Sequence, residues 1–453
     1  MTGKTDKKPF AAPSFLVPAV IDAVRSSSKY GSLVRMVPGE ADGFCARHAA
    51  SSGATVLTSD SDLLVHDLGT GSVALLRDIY RGEDAVIRCS LYTPSEIFPK
   101  LGLPSTSDVH RFAYERWRTT HGTVSSLVRA CEDPVTDAGE YKEFRAQYLS
   151  EDDEDGALPS LGEHLSIQHL DPRFSEVLLQ LCQPESSTSG DSGAKMFLPI
   201  LIENPDRGTA WEQSTPIRRL AYSVARRMLP GHTTTIQEYR RVQTLDQKGR
   251  QVSVLSTKDM LASVEELVQV MSHLKKTTKA KSIPFWPMLY IVLDARECFA
   301  QGKDSHVLST VLQRPRSLWP RENFQRVHWD FMHFVAQLQA AYYSLRMLWQ
   351  VLHLSTSSAE AILGSHYPTL LEILNGLSGL PESPGVESIT QFLHTAQPKV
   401  LRETLGGFVD VGEEEPQNTE RRSKRHKKDG QSSKKVAQTG ASKQNMFDML
   451  AME

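Results

Sequence analysis

A chain of 453 residues exceeds what one hydrophobic core organises, so two folded units plus tails are expected. Its 40% apolar and 23% charged residues are those of a folded protein in water, and the best apolar run, "PFWPMLYIVL", stops at Asp294, short of the 18 or more residues that a bilayer span requires. The net charge of -3 is uneven: residues 421–453 carry nine Lys/Arg against three acids, about +6, which leaves about -9 on the remainder and excludes a uniformly basic nucleic-acid binder.

The start, "MTGKTDKKPFAAP", lacks the sustained apolar region of a secretory signal, so the protein is expected to stay inside the cell, with no membrane partner. From Pro13 the pattern alternates helix and strand. "PSFLVPAVIDAVRSSSKYG" sets Leu16, Val20, Ala23 and Val24 on one helical face, and "SLVRMV" reads as a strand. "GEADGFCARHAASSG" is a helix closed by Gly53, "ATVLTS" a strand, and "LLVHDL" and "SVALLRDIY" continue in extended form. Such αβαβ order predicts a parallel sheet with helices on its faces.

Thr93, Pro94 and Glu96 form a capping-box start for a short helix, and helices are predicted over Asp108–Thr119 and Val124–Cys131. "SEDDEDGALPSLGEH" and "CQPESSTSGDSGAK" read as acidic and Ser/Gly-rich linker. From Met196 an all-helical region is expected. In "STPIRRLAYSVARRML", Ile217, Leu220, Ala221, Val224, Ala225 and Met228 form the packed face, with Arg218, Arg219, Arg226 and Arg227 off it. The long "WDFMHFVAQLQAAYYSLRMLWQVLHL" is a further helix, and after Gly407 the chain lacks apolar residues to bury and reads as disordered.

The chemistry concentrates in four carboxylates. Glu40 and Asp42 stand at a helix start, where the dipole favours negative charge, and Asp60 and Asp62 follow a strand. In extended backbone Asp60 and Asp62 face the same way, roughly 6.6 Å apart. Both pairs fall at the carboxyl edge of a parallel sheet, where such folds bind ligands. Two divalent ions about 3.5–4 Å apart need several converging carboxylates, and four suffice. Acids at caps and turns are routine, so either pair alone reads more readily as ordinary surface; together, at matching strand ends, they favour a metal centre. The Asp-x-Asp of haloacid-dehalogenase phosphatases wants Thr or Val where Leu64 stands, and a glycosyltransferase Asp-x-Asp leaves "GEAD" unexplained. The five cysteines have no close ligand spacing, and HExxH, GxSxG and GxxxxGK[ST] are absent.

"VPGEADGFCARHAASSGATVLTSDSDLLVHDLG" resembles the internal region of the flap endonuclease/XPG nuclease superfamily, with its E-A-[ED]-x-x-[AC]-A followed by [ST]-x-D-x-D. "KMFLPILIENPDRGTAWEQSTPIRRLAYSVARRML" and "TIQEYRRV" resemble the Asteroid-type branch. The resemblance implies a PIN-like α/β domain, here lacking its first strand, then an all-α domain and a disordered basic tail. It also implies that Glu40, Asp42, Asp60 and Asp62 hold two Mg²⁺ or Mn²⁺ ions of a 5′-nuclease acting on DNA or RNA with single-stranded or branched character, in DNA repair or processing. The expected layout is a flexible start over 1–12, a nuclease-type domain over 13–150, a linker over 151–195, a helical domain over 196–406 and a tail over 407–453.

Three departures keep a second reading open, a catalytically reduced scaffold in nucleic-acid metabolism. Before Glu40 the only acids are Asp6 and Asp22, and Asp22 lies in a predicted helix. Downstream, Asp108 replaces the G-[ST]-D-Y element, and the Gly-rich hairpin that grips duplex has no counterpart. The folded part is negative, where phosphate binding wants Lys and Arg. The absent strand leaves an apolar sheet edge and fits either a truncated gene model or a shortened paralogue. In the tail, Arg421, Arg422, Lys424, Arg425, Lys427, Lys428, Lys434 and Lys435 form two basic clusters that fit a bipartite nuclear-localisation signal, so a nuclear protein is expected. Met446, Phe447, Met449 and Leu450 could make one amphipathic turn for a protein partner, against the reading of a frayed terminus.

Overall fold

The computed structural model describes residues 13–37, 41–119, 121–146, 148, 169–182, 193–231, 233–241, 249–313 and 327–411. Glu40, most of the expected linker, the eight basic tail residues and the Met446–Leu450 motif lie outside them. The fold is mixed α/β and mostly helical. It divides into two compact units, Arg35–Leu179 and a second built from Met1–Val34 with Gln180–Glu453.

The opening helix α1 (Leu16–Arg25) belongs to the second unit. Its expected core face is reversed, since Leu16, Val20, Ala23 and Val24 are exposed, whereas Phe15 is buried and stacks on Tyr343 with ring centroids 5.1 Å apart. Asp22 accepts from Arg346 at 2.8 Å. A buried aromatic anchor and an ion pair thus outrank the aliphatic stripe. "SLVRMV" is not a strand: Gly31–Leu33 is a 3-10 turn closed by Leu33 N–H to Tyr30 and Val34 N–H to Gly31, and Leu33 is 70% exposed. Local turn bonds take the groups that a strand would need a neighbouring edge to satisfy.

In the Arg35–Leu179 unit, α2 (Ala41–Ser52) ends at Gly53, whose φ of +67° turns the chain at no Cβ cost into β1 (Thr55–Thr58). A 3-10 turn over Asp62–Val65 leads to β2 (Ser72–Leu75), which pairs in parallel with β1 from Thr55↔Ser72 to Thr58↔Leu75. After the small hairpin of β3 (Tyr80–Arg81) and β4 (Ile87–Arg88), β5 (Leu91–Tyr92) adds antiparallel to β2. The sheet is therefore mixed, in order β1-β2-β5, with "LLVHDL" coiled where extended backbone was expected. Ala46 and Ala49 of α2 pack with Leu63, Leu68, Val73 and Leu75. Close approach there requires Gly71, since a Cβ would sit 2.9 Å from the Ala49 methyl. On the other face the register aligns Leu57, Ala74 and Leu91, and the two leucines are 56% and 59% exposed. Among the described residues β1 has a ladder partner on one side only.

Four helices follow: α3 (Pro94–Lys100), α4 (Thr106–Arg118), α5 (Val124–Glu132) and α6 (Ala138–Ala146), with α5 and α6 both packed on α4. Thr93 caps α3 without a side-chain hydrogen bond, so the expected capping box is not formed there; it forms instead at Ser105 and Asp108 of α4. Within the expected linker, α7 (Pro172–Cys182) is helical.

The second unit is not all-helical. Strands β6 (Ala194–Phe197), β7 (Thr235–Tyr239) and β8 (Arg250–Ser253) form a sheet in that order, β7 parallel to β6 and antiparallel to β8. Its helices are α8 (Thr215–Met228), α9 (Thr257–Lys281), α10 (Phe285–Ala300), α11 (His306–Leu312), α12 (Trp329–Leu354), α13 (Thr356–Leu363), α14 (His366–Leu374), α15 (Val386–Thr395) and α16 (Pro398–Leu405). Buried on almost every side, α12 is the axis on which α8, α10, α11 and α13 to α15 pack. Arg218, expected on a basic face, is completely buried against Glu238 of β7.

Candidate active site

The acids are placed by α2 and by the loop leaving β1. Asp42 lies half-buried in the first turn of α2, where unpaired N–H groups and the helix dipole favour a carboxylate. At the end of β1, the Asp60 N–H donates to Thr58 Oγ1 at 3.0 Å, and the Asp62 N–H donates to Asp60 Oδ1 at 3.1 Å. The strand has ended by Asp60, so the two aspartates do not project along one extended face. They sit on a tight turn held by Asp60's own carboxylate, with Asp62 opening the 3-10 turn.

Electrostatics show what these acids share. Burial raises the pKa of Asp62, Asp60 raises it further, and His66 opposes the shift. His66, half-buried, is lowered by desolvation against the pull of Asp42 and Asp62. The Tyr148 phenol is raised by burial and then by Asp62, Asp60 and Asp42 together. Tyr148 meets His66 edge-on at 5.3 Å and His110 at 6.0 Å. Asp42, Asp60 and Asp62 thus all bear electrostatically on the Tyr148 phenol, and Asp42 and Asp62 on His66.

His66, Tyr148 and His110 were not legible as site residues. His66 follows Asp62 by four positions, a spacing that becomes informative only once the segment coils, and Tyr148 arrives from beyond α6 by tertiary packing.

The donor set is all oxygen, the chemistry that hard divalent cations such as Mg²⁺ and Mn²⁺ take. Among the described residues, however, no three His, Cys, Asp or Glu side chains are gathered closely enough to hold a metal ion. The alternative acids are committed elsewhere. Asp108 Oδ2 accepts from the Ser105 N–H at 3.0 Å and the Ser105 hydroxyl at 2.6 Å, the work of a helix cap, and Asp22 is paired with Arg346. No helix among the described residues is long and apolar enough to cross a membrane.

A family model described as "XPG domain containing" matches residues 12–254, just over half of the 453-residue chain. The match spans the acid-bearing turn and runs on through β8. Comparison with curated proteins gives no match, and comparison with solved structures gives none.

Proposed function

From the premise that this chain belongs to the XPG-domain-containing family, a nuclease-type family, we propose that it is an Asteroid-type, divalent-metal-dependent nuclease acting on DNA or RNA with single-stranded or branched character. The observation that carries this reading is the XPG-domain match over residues 12–254, which spans Asp42 and the turn that bears Asp60 and Asp62. Glu40, Asp42, Asp60 and Asp62 would hold Mg²⁺ or Mn²⁺. When bound, such ions polarise a phosphodiester and make water a nucleophile near neutral pH.

The chain's own residues supply the frame for that chemistry. Asp60 fixes its turn by accepting the Asp62 N–H, which leaves both carboxylates exposed at the end of β1. Asp42 stands in the first turn of α2, where the helix dipole favours a carboxylate, and Tyr148 meets His66 edge-on at 5.3 Å. Nuclear localisation through Arg421–Lys435, a role in DNA repair or processing and a partner for Met446–Leu450 belong to the same proposal.

One observation favours a second reading, a catalytically reduced scaffold: Asp108, at the place of the G-[ST]-D-Y element, is engaged in capping α4. Titration calorimetry with Mn²⁺ and cleavage of a 5′-flap DNA by wild type and Asp60→Ala decide between them. The nuclease reading expects Mn²⁺ binding and a loss of cleavage beyond about a hundredfold in the variant, more than the 10–100-fold typical of residues behind the ligands. Absence of Mn²⁺ binding, or cleavage indifferent to Asp60→Ala, leaves the scaffold.

A further inference from the structure

An apolar groove opens in the helical unit where the last described residues lie. Ile217 and Leu220 of α8, Leu267 and Val270 of α9 and Phe299 of α10 line about 500 Å³, a volume within the range of ligand clefts. The first four are buried, whereas Phe299 is 46% exposed. Phe408, Val409 and Asp410 complete the lining. They are held there: the Phe408 ring meets His273 edge-on at 5.0 Å, and its carbonyl accepts from Arg296 Nη1 at 3.5 Å. The Val411 carbonyl accepts from Arg402 Nη1 at 3.1 Å. The chain therefore leaves its described part from the wall of the groove.

The groove is also acidic. Its charged lining is Glu266, Glu297 and Asp410 against one cation, Arg296, which is paired with Glu266. Burial raises the Glu297 carboxyl, and Glu212 and Glu266 add to the rise against Gln301 and Lys303. An apolar occupant that brings cations complements such a surface. The chain carries one, outside the described residues. Residues 412–445 have Val436, Ala437 and Ala441 as their only apolar side chains, whereas 446–450, "MFDML", are apolar at every position except Asp448. Met446, Met449 and Leu450 follow the i, i+3, i+4 rule, and Lys443 stands three residues ahead of them. Residues 421–453 hold nine Lys/Arg against three acids.

We propose that the groove lined by α8, α9 and α10 is the docking site of the chain's own residues 446–450, laid in as a helical turn with Lys443 against the acidic rim. It is independent of the nuclease reading and supplies from within the chain the partner that this motif calls for. Unbranched, polarisable methionine suits an irregular apolar groove, and helix-in-groove recognition uses this spacing of anchors. Attachment decides for this occupant over a free one. The tether, residues 412–445, starts at the groove wall, and a flexible chain of that length has an r.m.s. span of roughly 29–35 Å. Its effective concentration is on the order of millimolar, so a free competitor at micromolar concentration needs about a thousandfold higher affinity.

Two measurements on the full chain test this. In the first, photoreactive benzoylphenylalanine replaces Phe447, and ultraviolet crosslinks are mapped by mass spectrometry at low and high protein concentration. Crosslinks should form within one chain, to α9, α10 or residues 408–410, with a yield independent of concentration. Crosslinks to a second copy that rise with concentration, or none at the groove, would overturn the proposal. In the second, a fluorescent peptide of residues 441–453 is titrated by anisotropy. The double variant Phe447→Asp, Leu450→Asp should bind it at least about tenfold more tightly than wild type, whose groove is already filled. Adding Phe299→Glu to that variant should remove the gain. Equal binding by wild type and the double variant, or a gain that Phe299→Glu leaves intact, would refute docking in this groove. Neither readout involves metal or cleavage, so the nuclease reading can fail without touching it.

Discussion

Arg218 is completely buried and fully engaged. Its Nε and Nη2 donate to the two oxygens of Glu238 at 2.7 and 2.8 Å, and Nη1 donates to Ser214 and Ser344. Burial pushes Glu238 up, yet Arg218 and Arg240 hold it down to about 2. A depressed carboxylate stabilises above its unfolded value of 4.5 and loses that contribution as pH falls towards 2. Removing one partner of such a pair strands the other charge, so Glu238→Gln should cost about 3–5 kcal/mol in chemical denaturation at pH 7. Asp294 of α10 has the opposite sign. Burial raises it to about 7, despite hydrogen bonds from Ser305 and Cys298. A raised pKa means tighter proton binding in the folded chain. Its stabilisation is whole below about pH 4 and is lost as pH rises to about 7, at most about 4 kcal/mol. Melting temperatures from pH 5 to 8 should therefore show a decline that Asp294→Asn removes; an identical decline in the variant would assign it to other groups. At this scale the acidic turn was legible because Asp60 and Asp62 are neighbours in the sequence. The burial of Arg218 was not, since its helical periodicity gives a wet position and its partner comes from a strand twenty residues on.

At the level of elements, the short-range rules succeeded where the partners are local. Gly53 ends α2, and α4 and α5 appear close to their expected bounds. They failed where a distant surface decides. The face of α1 is set by Tyr343 and Arg346, and "TIQEY" becomes a strand because β6 and β8 flank it. Asp108 tests the distinction between capping and chemistry. Asp108→Ala should cost about 1 kcal/mol through the lost capping box and leave Mn²⁺ affinity unchanged in calorimetry. A fall in Mn²⁺ affinity would move Asp108 into the metal centre.

Across the whole molecule, the helical unit is closed by residues from the beginning of the chain. Phe15 and Asp22 meet Tyr343 and Arg346, the latter pair 324 residues apart. Deleting residues 1–34 should lower hydrogen-exchange protection around Tyr342–Arg346 and leave β1 and β2 protected; protection lost only in β1 and β2 would contradict the division into units.

That same Asp22–Arg346 tie imposes an order of events during synthesis. A ribosome adding about 5–20 residues per second needs roughly 15–65 s to make the residues between the two partners. The acid-bearing unit is complete long before then, whereas α1 emerges well ahead of its partner and waits with Phe15 unburied until Tyr343 is made.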